Sequence, residues 1–118
     1  MSTSPKDTAE LASEFWKLLR AFERNIAFAP EPAKVRLAAQ ARYSQDRLSG
    51  ILDRMGMRLV SFDGEAFEVN LPAIAVNADD MSAGSNCVVE RTLEPAVVQG
   101  SEVILTAKVF LAEMKGSD

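Results

Sequence analysis

Few residues in this chain are able to do chemistry, and the commonest of them is missing: there is no histidine. That removes the usual general base near neutral pH, the usual metal-ligating nitrogen and every triad built on imidazole. Asp79 and Asp80, with Asn77, Ser82 and Asn86, offer oxygen ligands for a hard cation, but their order and spacing depart from an EF-hand loop, and a solvated turn is the simpler reading. Gly84-Ser85 lacks the strand-to-helix setting of a nucleophile elbow. Glu65, Glu68, Glu90 and Glu94 would supply an acid and a base, yet antiparallel strands place carboxylates side by side on a wet face without any such role. No glycine-rich phosphate loop is present. Cys87 is the sole cysteine; with Val88 and Val89 after it, it reads as a small buried hydrophobe in a reducing compartment. Trp16 and Phe22, at helical spacing, read as core. The expectation is a protein with no metal, cofactor or catalytic group, working by contact with another protein.

Composition narrows the partner. With 47% hydrophobic and 25% charged residues the chain can bury a core, so disorder is not expected. A net charge of -4 argues against nucleic acid, whose phosphates require a basic surface. The first residues contain no apolar stretch for a signal peptide, and no segment reaches the ~20 apolar residues of a membrane span. A soluble, cytoplasmic protein without membrane contact is expected.

The elements that would carry such a contact are legible from periodicity. After a polar leader in which Ser4 or Asp7 caps, a helix is predicted from Lys6 to Ala27, with Leu11, Phe15, Leu18, Phe22 and Ile26 at alternating three- and four-residue steps. Pro30 and Pro32 stop it and open a second helix from Glu31 to Met55, whose apolar face includes Val35, Ala38, Ala41, Leu48, Leu52 and Met55, with Ile51 beside it. Two such helices cannot bury wide stripes on each other alone, so the αα-hairpin (residues 1–56) is expected to meet a second copy in a dimeric four-helix bundle through Leu11, Phe15, Leu18, Phe22, Ile26, Leu48, Leu52 and Met55.

At Gly56, where a left-handed helix cap is expected, the pattern changes from helical spacing to short β-like runs. Leu59 to Phe62 reads as a strand, Asp63-Gly64 as a two-residue hairpin turn, and Glu65 to Val69 as the return strand. Pro72 confines Leu71 to Val76 to an edge or corner. Cys87 to Thr92 is the next strand, and Ala96 to Val98 and Glu102 to Phe110 flank a second hairpin turn at Gln99-Gly100-Ser101, before a polar tail from Ala112. The fold class is α+β: a helical hairpin followed by a small antiparallel β-domain spanning residues 57–118.

From Gly56 to Val76 the chain resembles the GrpE family, nucleotide exchange factors of DnaK-type chaperones. That family carries a glycine, an apolar strand and a Gly-Glu-x-Phe-Asp-Pro-Asn-x-His-x-Ala segment after its second bundle helix. Gly64, Glu65, Phe67 and Asn70 match it, Glu68 stands for the aspartate, and Val69 and Pro72 replace the proline and the histidine. Phe15 to Ile26 is similar to the end of the family's long helix, and Gln45 to Gly56 to its second bundle helix. Leu93-Glu94-Pro95-Ala96-Val97-Val98 copies the letters of the family's final strand, although the order of elements places that strand at Val103 to Val109; the family's Gly-Tyr is absent. The resemblance implies a homodimeric co-chaperone whose β-domain docks on a chaperone's nucleotide-binding domain and opens its cleft. Glu65, Glu68, Arg91, Glu94 and Glu102 are then the docking candidates, with Gly64, Phe67 and Asn70 shaping the fold. A dimeric adaptor of the same fold serving another partner is the alternative, and a small enzyme the third reading.

Overall fold

The computed structural model describes residues 4–114, so residues 1–3 of the leader and 115–118 of the tail lie outside it. Helix α1 spans Pro5–Ile26 and α2 Glu31–Arg54, each opened by a proline in its first turn, where no backbone N–H is needed. Ser4 holds the first cap position without a side-chain hydrogen bond, and Asp7 lies in the first turn of α1, where it faces the positive end of the helix dipole. Gly56, at φ 72, turns the chain out of α2 into the sheet, as its type and position suggest.

Among the described residues six strands follow: β1 (Met57–Val60), β2 (Ala73–Ala75), β3 (Cys87–Glu94), β4 (Ala96–Gln99), β5 (Glu102–Leu105) and β6 (Ala107–Glu113). They form two three-stranded sheets, β1-β4-β5 and β2-β6-β3. The chain is thus α+β, two helices followed by sheets that are mostly antiparallel, with one parallel pair between β2 and β6.

Two strands of each sheet are cut from a single ribbon. Residues 87–113 run out and back around Gly100, at φ 60, and both arms break, one at Pro95 and the other at Thr106. Beyond the breaks β4 pairs with β5; before them β3 pairs with β6. Pro95 is fully buried and cannot donate to a ladder, which is why the outgoing arm ends one sheet there and starts the other. The strand predicted from Glu102 to Phe110 is therefore two strands, and β6 continues to Glu113 instead of giving way to a polar tail at Ala112. Leu93 to Val98, whose letters resemble a final strand, spans the corner between β3 and β4.

The predicted hairpin at Asp63-Gly64 also takes another form. Gly64 has the expected positive φ of 84, but β1 pairs with β4, and residues 62–67 run along the outer edge of β3. Gly64 N–H donates to the Val89 carbonyl at 2.8 Å, Val89 N–H to that of Glu65 at 2.8 Å, and Phe67 N–H to that of Cys87 at 2.9 Å. A lone two-residue hairpin buries little apolar surface. Running along β3 instead lets Phe62, Phe67 and Leu71 pack onto the Val89–Val109–Leu111 core. Two side-chain bonds pin the crossing: Phe62 N–H donates to Thr92 Oγ1 at 2.9 Å, and Thr92 N–H to the Asp63 carboxylate at 2.6 Å.

The second core joins helices to sheet. Ala9, Ala12, Leu52, Met57 and Val97 are buried together, with Leu48, Leu59, Ile104 and Leu105 against them, so residues on both sides of Gly56 share one apolar cluster. The described residues are nonetheless spread out: their radius of gyration is 16.6 Å, against about 13.5 Å for a compact chain of this length.

Candidate functional site

Helix α1 meets the sheet through small side chains. Ala9, Ala12 and Ser13 are its buried residues, a narrow face that lets the helix axis approach the strands closely. The large apolar residues expected to pair two copies lie off this buried face: Leu11 is 73% exposed, Leu18 71% and Phe15 41%. From α2, Tyr43, Ile51 and Met55 are exposed beside them, and the two helices enclose a shallow groove of about 370 Å³ lined by Leu11, Phe15, Tyr43, Leu48, Ile51 and Met55. A second, smaller depression continues the apolar strip past Leu18, Leu19 and Phe22. Such a strip, on an otherwise charged surface, is larger than chance scatter of single apolar residues.

Of the residues expected to pair two copies, Leu11, Phe15, Leu18 and Met55 are exposed on this face, and Phe22, Ile26 and Leu48 are half-buried. Leu52 is different: it lines the groove but is only 3% exposed, and most of it belongs to the chain's own core against Ala9, Ala12, Met57 and Val97. Heptad spacing places Leu52 on the same seam as Leu48 and Met55, and no pattern within α2 reveals that the sheet claims it. Tyr43 lines the groove and was not singled out from sequence, because a tyrosine on a helix surface carries no periodic signal of its own.

The candidate docking residues of the β-domain do not converge. Glu65 and Glu68 are exposed on the segment along β3, Arg91 is exposed on β3 opposite Phe110, and Glu102 is exposed at the start of β5 in the other sheet. Glu94 is already engaged: its carboxylate sits 2.8 Å from Lys17 of α1 and 3.7 Å from Lys108 of β6, while Lys17 also lies 2.6 Å from Glu14. The hydrogen bond from Lys17 holds the Glu94 carboxyl below the usual carboxylate range, and the hydrogen bonds to Glu14 and Glu94 raise Lys17. Glu94 thus ties α1 to β3. Because its folded pKa is depressed, its contribution is full above the unfolded value of about 4.3 and is lost as pH falls through the folded value. Glu94→Gln is expected to lower stability at pH 7 by about 0.5–1 kcal/mol, partial exposure screening the pair, and the gap from the parent should close in urea titrations repeated below about pH 4.

The acidic loop before β3 is a fold element. Asp79 and Asp80 lie on a short 3-10 turn, Ala78–Asp80, and are exposed, whereas Asn77 is buried and its amide is used within the chain. Among the described residues no three acidic or cysteine side chains are grouped to hold a metal ion. The Ser82 N–H and the Ser85 and Ser82 side chains hold the Glu113 carboxyl low, fixing this loop to the end of β6. Cys87 is half-buried against the first core, its Sγ 3.8 Å from Ser85 Oγ. Among the described residues no helix is long and apolar enough to cross a membrane. Set against protein-family models, curated proteins and solved structures, the chain matches none.

Proposed function

We propose that the chain is a GrpE-like co-chaperone: two copies pair through their helical hairpins into a four-helix bundle, and a β-module docks on the nucleotide-binding domain of a DnaK-type chaperone so that ADP leaves. The observation that carries the pairing is the exposed apolar strip of Leu11, Phe15, Leu18, Tyr43, Ile51 and Met55, which one chain leaves uncovered. The exchange step is supported by the residue resemblance at Gly64, Glu65, Phe67 and Asn70, and it asks no side chain to react. A factor that binds the open conformer of the chaperone more tightly than the closed one shifts the population by that difference in affinity alone. On this reading the exposed Glu65, Glu68, Arg91 and Glu102 are the polar contacts of the β-module.

The test is release of a fluorescent ADP from DnaK-type chaperones of the same cell, with and without the chain. Faster release supports the reading; unchanged release from every such chaperone overturns it. One observation favours a dimeric adaptor with a different client. Val69 and Pro72 stand where the family has proline and histidine, and Val69 is fully exposed on the β-module. A stoichiometric complex with a non-chaperone protein, together with no effect on ADP release, would select that second reading.

A further inference from the structure

Trp16, Arg20 and Arg24 recur every four residues, so they share one face of α1. That face forms one wall of a cleft of about 510 Å³, whose other wall includes Arg91 and Thr92 of β3 and Asp63. The Arg20 guanidinium lies over the Trp16 ring, 4.7 Å from its centroid. Arg20, Arg24 and Arg91 enter no ion pair among the described residues. The cleft's other cation, Lys17, is neutralised by Glu14 and Glu94. Of its two carboxylates, Asp63 accepts the Thr92 N–H at 2.6 Å, and Glu23 is exposed at the rim. A chain of net charge -4 therefore gathers three guanidiniums without an ion-pair partner, with two carboxylates, in the lining of one concavity, a local concentration of positive charge on an acidic chain.

We infer that this cleft binds an acidic peptide segment of a partner protein, carboxylates against Arg20, Arg24 and Arg91 and an apolar side chain beside Trp16. Spacing favours a peptide over a compact phosphate. Side chains one helical turn apart are separated by about 6 Å, and carboxylates on alternate residues of an extended strand by about 6.7 Å. A phosphate wants donors converging on one point, usually the free N–H groups of a helix N-terminus; this cleft lies on the second half of α1, away from those groups. Guanidiniums suit carboxylates because their fixed fork pairs with both oxygens. The cleft shares Arg91 with the proposed chaperone contacts, but peptide binding is read without the chaperone, so its failure and the failure of nucleotide exchange are distinguishable.

The experiment uses the full chain and fluorescence anisotropy of a short labelled peptide with glutamate and leucine alternating, beside the same peptide with glutamine for glutamate. Binding of the glutamate peptide should be at least ~10-fold tighter than of the glutamine peptide and should weaken steeply with salt. Arg24→Gln with Arg91→Gln should weaken it by at least ~10-fold with an unchanged thermal midpoint, because neither side chain pairs within the chain. Glu23→Gln, which removes an opposing rim charge, should tighten binding by ~2-fold or more. Equal affinity for the two peptides overturns the assignment. So does unchanged affinity in the arginine double variant, or displacement by inorganic pyrophosphate at lower concentration than by unlabelled peptide.

Discussion

A chain carrying Phe15→Asp and Leu18→Asp is expected to sediment as a folded monomer at concentrations where the parent sediments as a dimer. Both side chains lie on the face of α1 turned away from the sheet, with Leu18 71% and Phe15 41% exposed, so neither contributes much to the core of a single chain. Burying such a side chain fully is worth about 1.5–3 kcal/mol, and a symmetric dimer counts each position twice. Losing even half of that, and placing carboxylates in the interface instead, amounts to more than about 3 kcal/mol, or over a hundredfold in dimer Kd. The control is Ala12→Asp: Ala12 is 4% exposed in the shared core, and a carboxylate there should prevent folding altogether, by far-ultraviolet circular dichroism. A parent chain that sediments as a monomer at high micromolar concentration would remove the pairing and, with it, the bundle.

The second large effect is expected at Asn77. Strand β2 stops at Ala75, and Val76 N–H still donates to the Val109 carbonyl at 2.9 Å, but beyond it the next rung on β6 is completed by a side chain. Asn77 Nδ2 donates to the Leu111 carbonyl at 2.9 Å, and Leu111 N–H donates to Asn77 Oδ1 at 2.8 Å. The amide copies the donor and acceptor of a backbone peptide in a site only 7% exposed. Asn77→Ala leaves both groups of Leu111 buried without partners, an expected loss of about 2–4 kcal/mol in urea unfolding. Asn77→Asp separates this from lost packing. An ionised aspartate still accepts from Leu111 N–H but turns an oxygen toward the Leu111 carbonyl, so its folded pKa rises above the unfolded value of about 3.9. Stability relative to the parent should then be recovered at low pH, below the unfolded value, and lost as pH rises through the folded one. A pH-independent deficit in Asn77→Asp would mean that the amide's two bonds are not what holds this corner.

Much of the helical half was legible because proline, glycine and three-four spacing act locally. Pro32 and Gly56 mark the limits of α2 within about two residues, and the spacing of Leu11, Phe15 and Leu18 marks an apolar seam that the chain itself leaves exposed. The face of α1 that the chain does bury was not legible, since Ala9, Ala12 and Ser13 carry little hydrophobic signal and announce only room for a close approach. In the β half, strand positions followed from Val, Ile and Leu runs, but partners did not. Which strand β1 chooses depends on Asp63 and Thr92 bonding each other's segments 29 residues apart, and on Pro95 bending the ribbon, long-range facts with no short-range mark. The arginine cleft was equally hidden: Arg20 and Arg24 look like an ordinary solvated helix face until Arg91 arrives from across the fold.

The passage from α2 to β1 has only Met55 and Gly56 in it, and the cluster of Ala9, Ala12, Leu52, Met57 and Val97 closes over both sides of that passage. The sheet is therefore bolted to the helices like the arm of a bracket and does not swing as a tethered unit would. On the proposed reading, pairing of the hairpins then sets the tilt of the strands at the other end, and the reach and angle they would offer to a client are built in at folding.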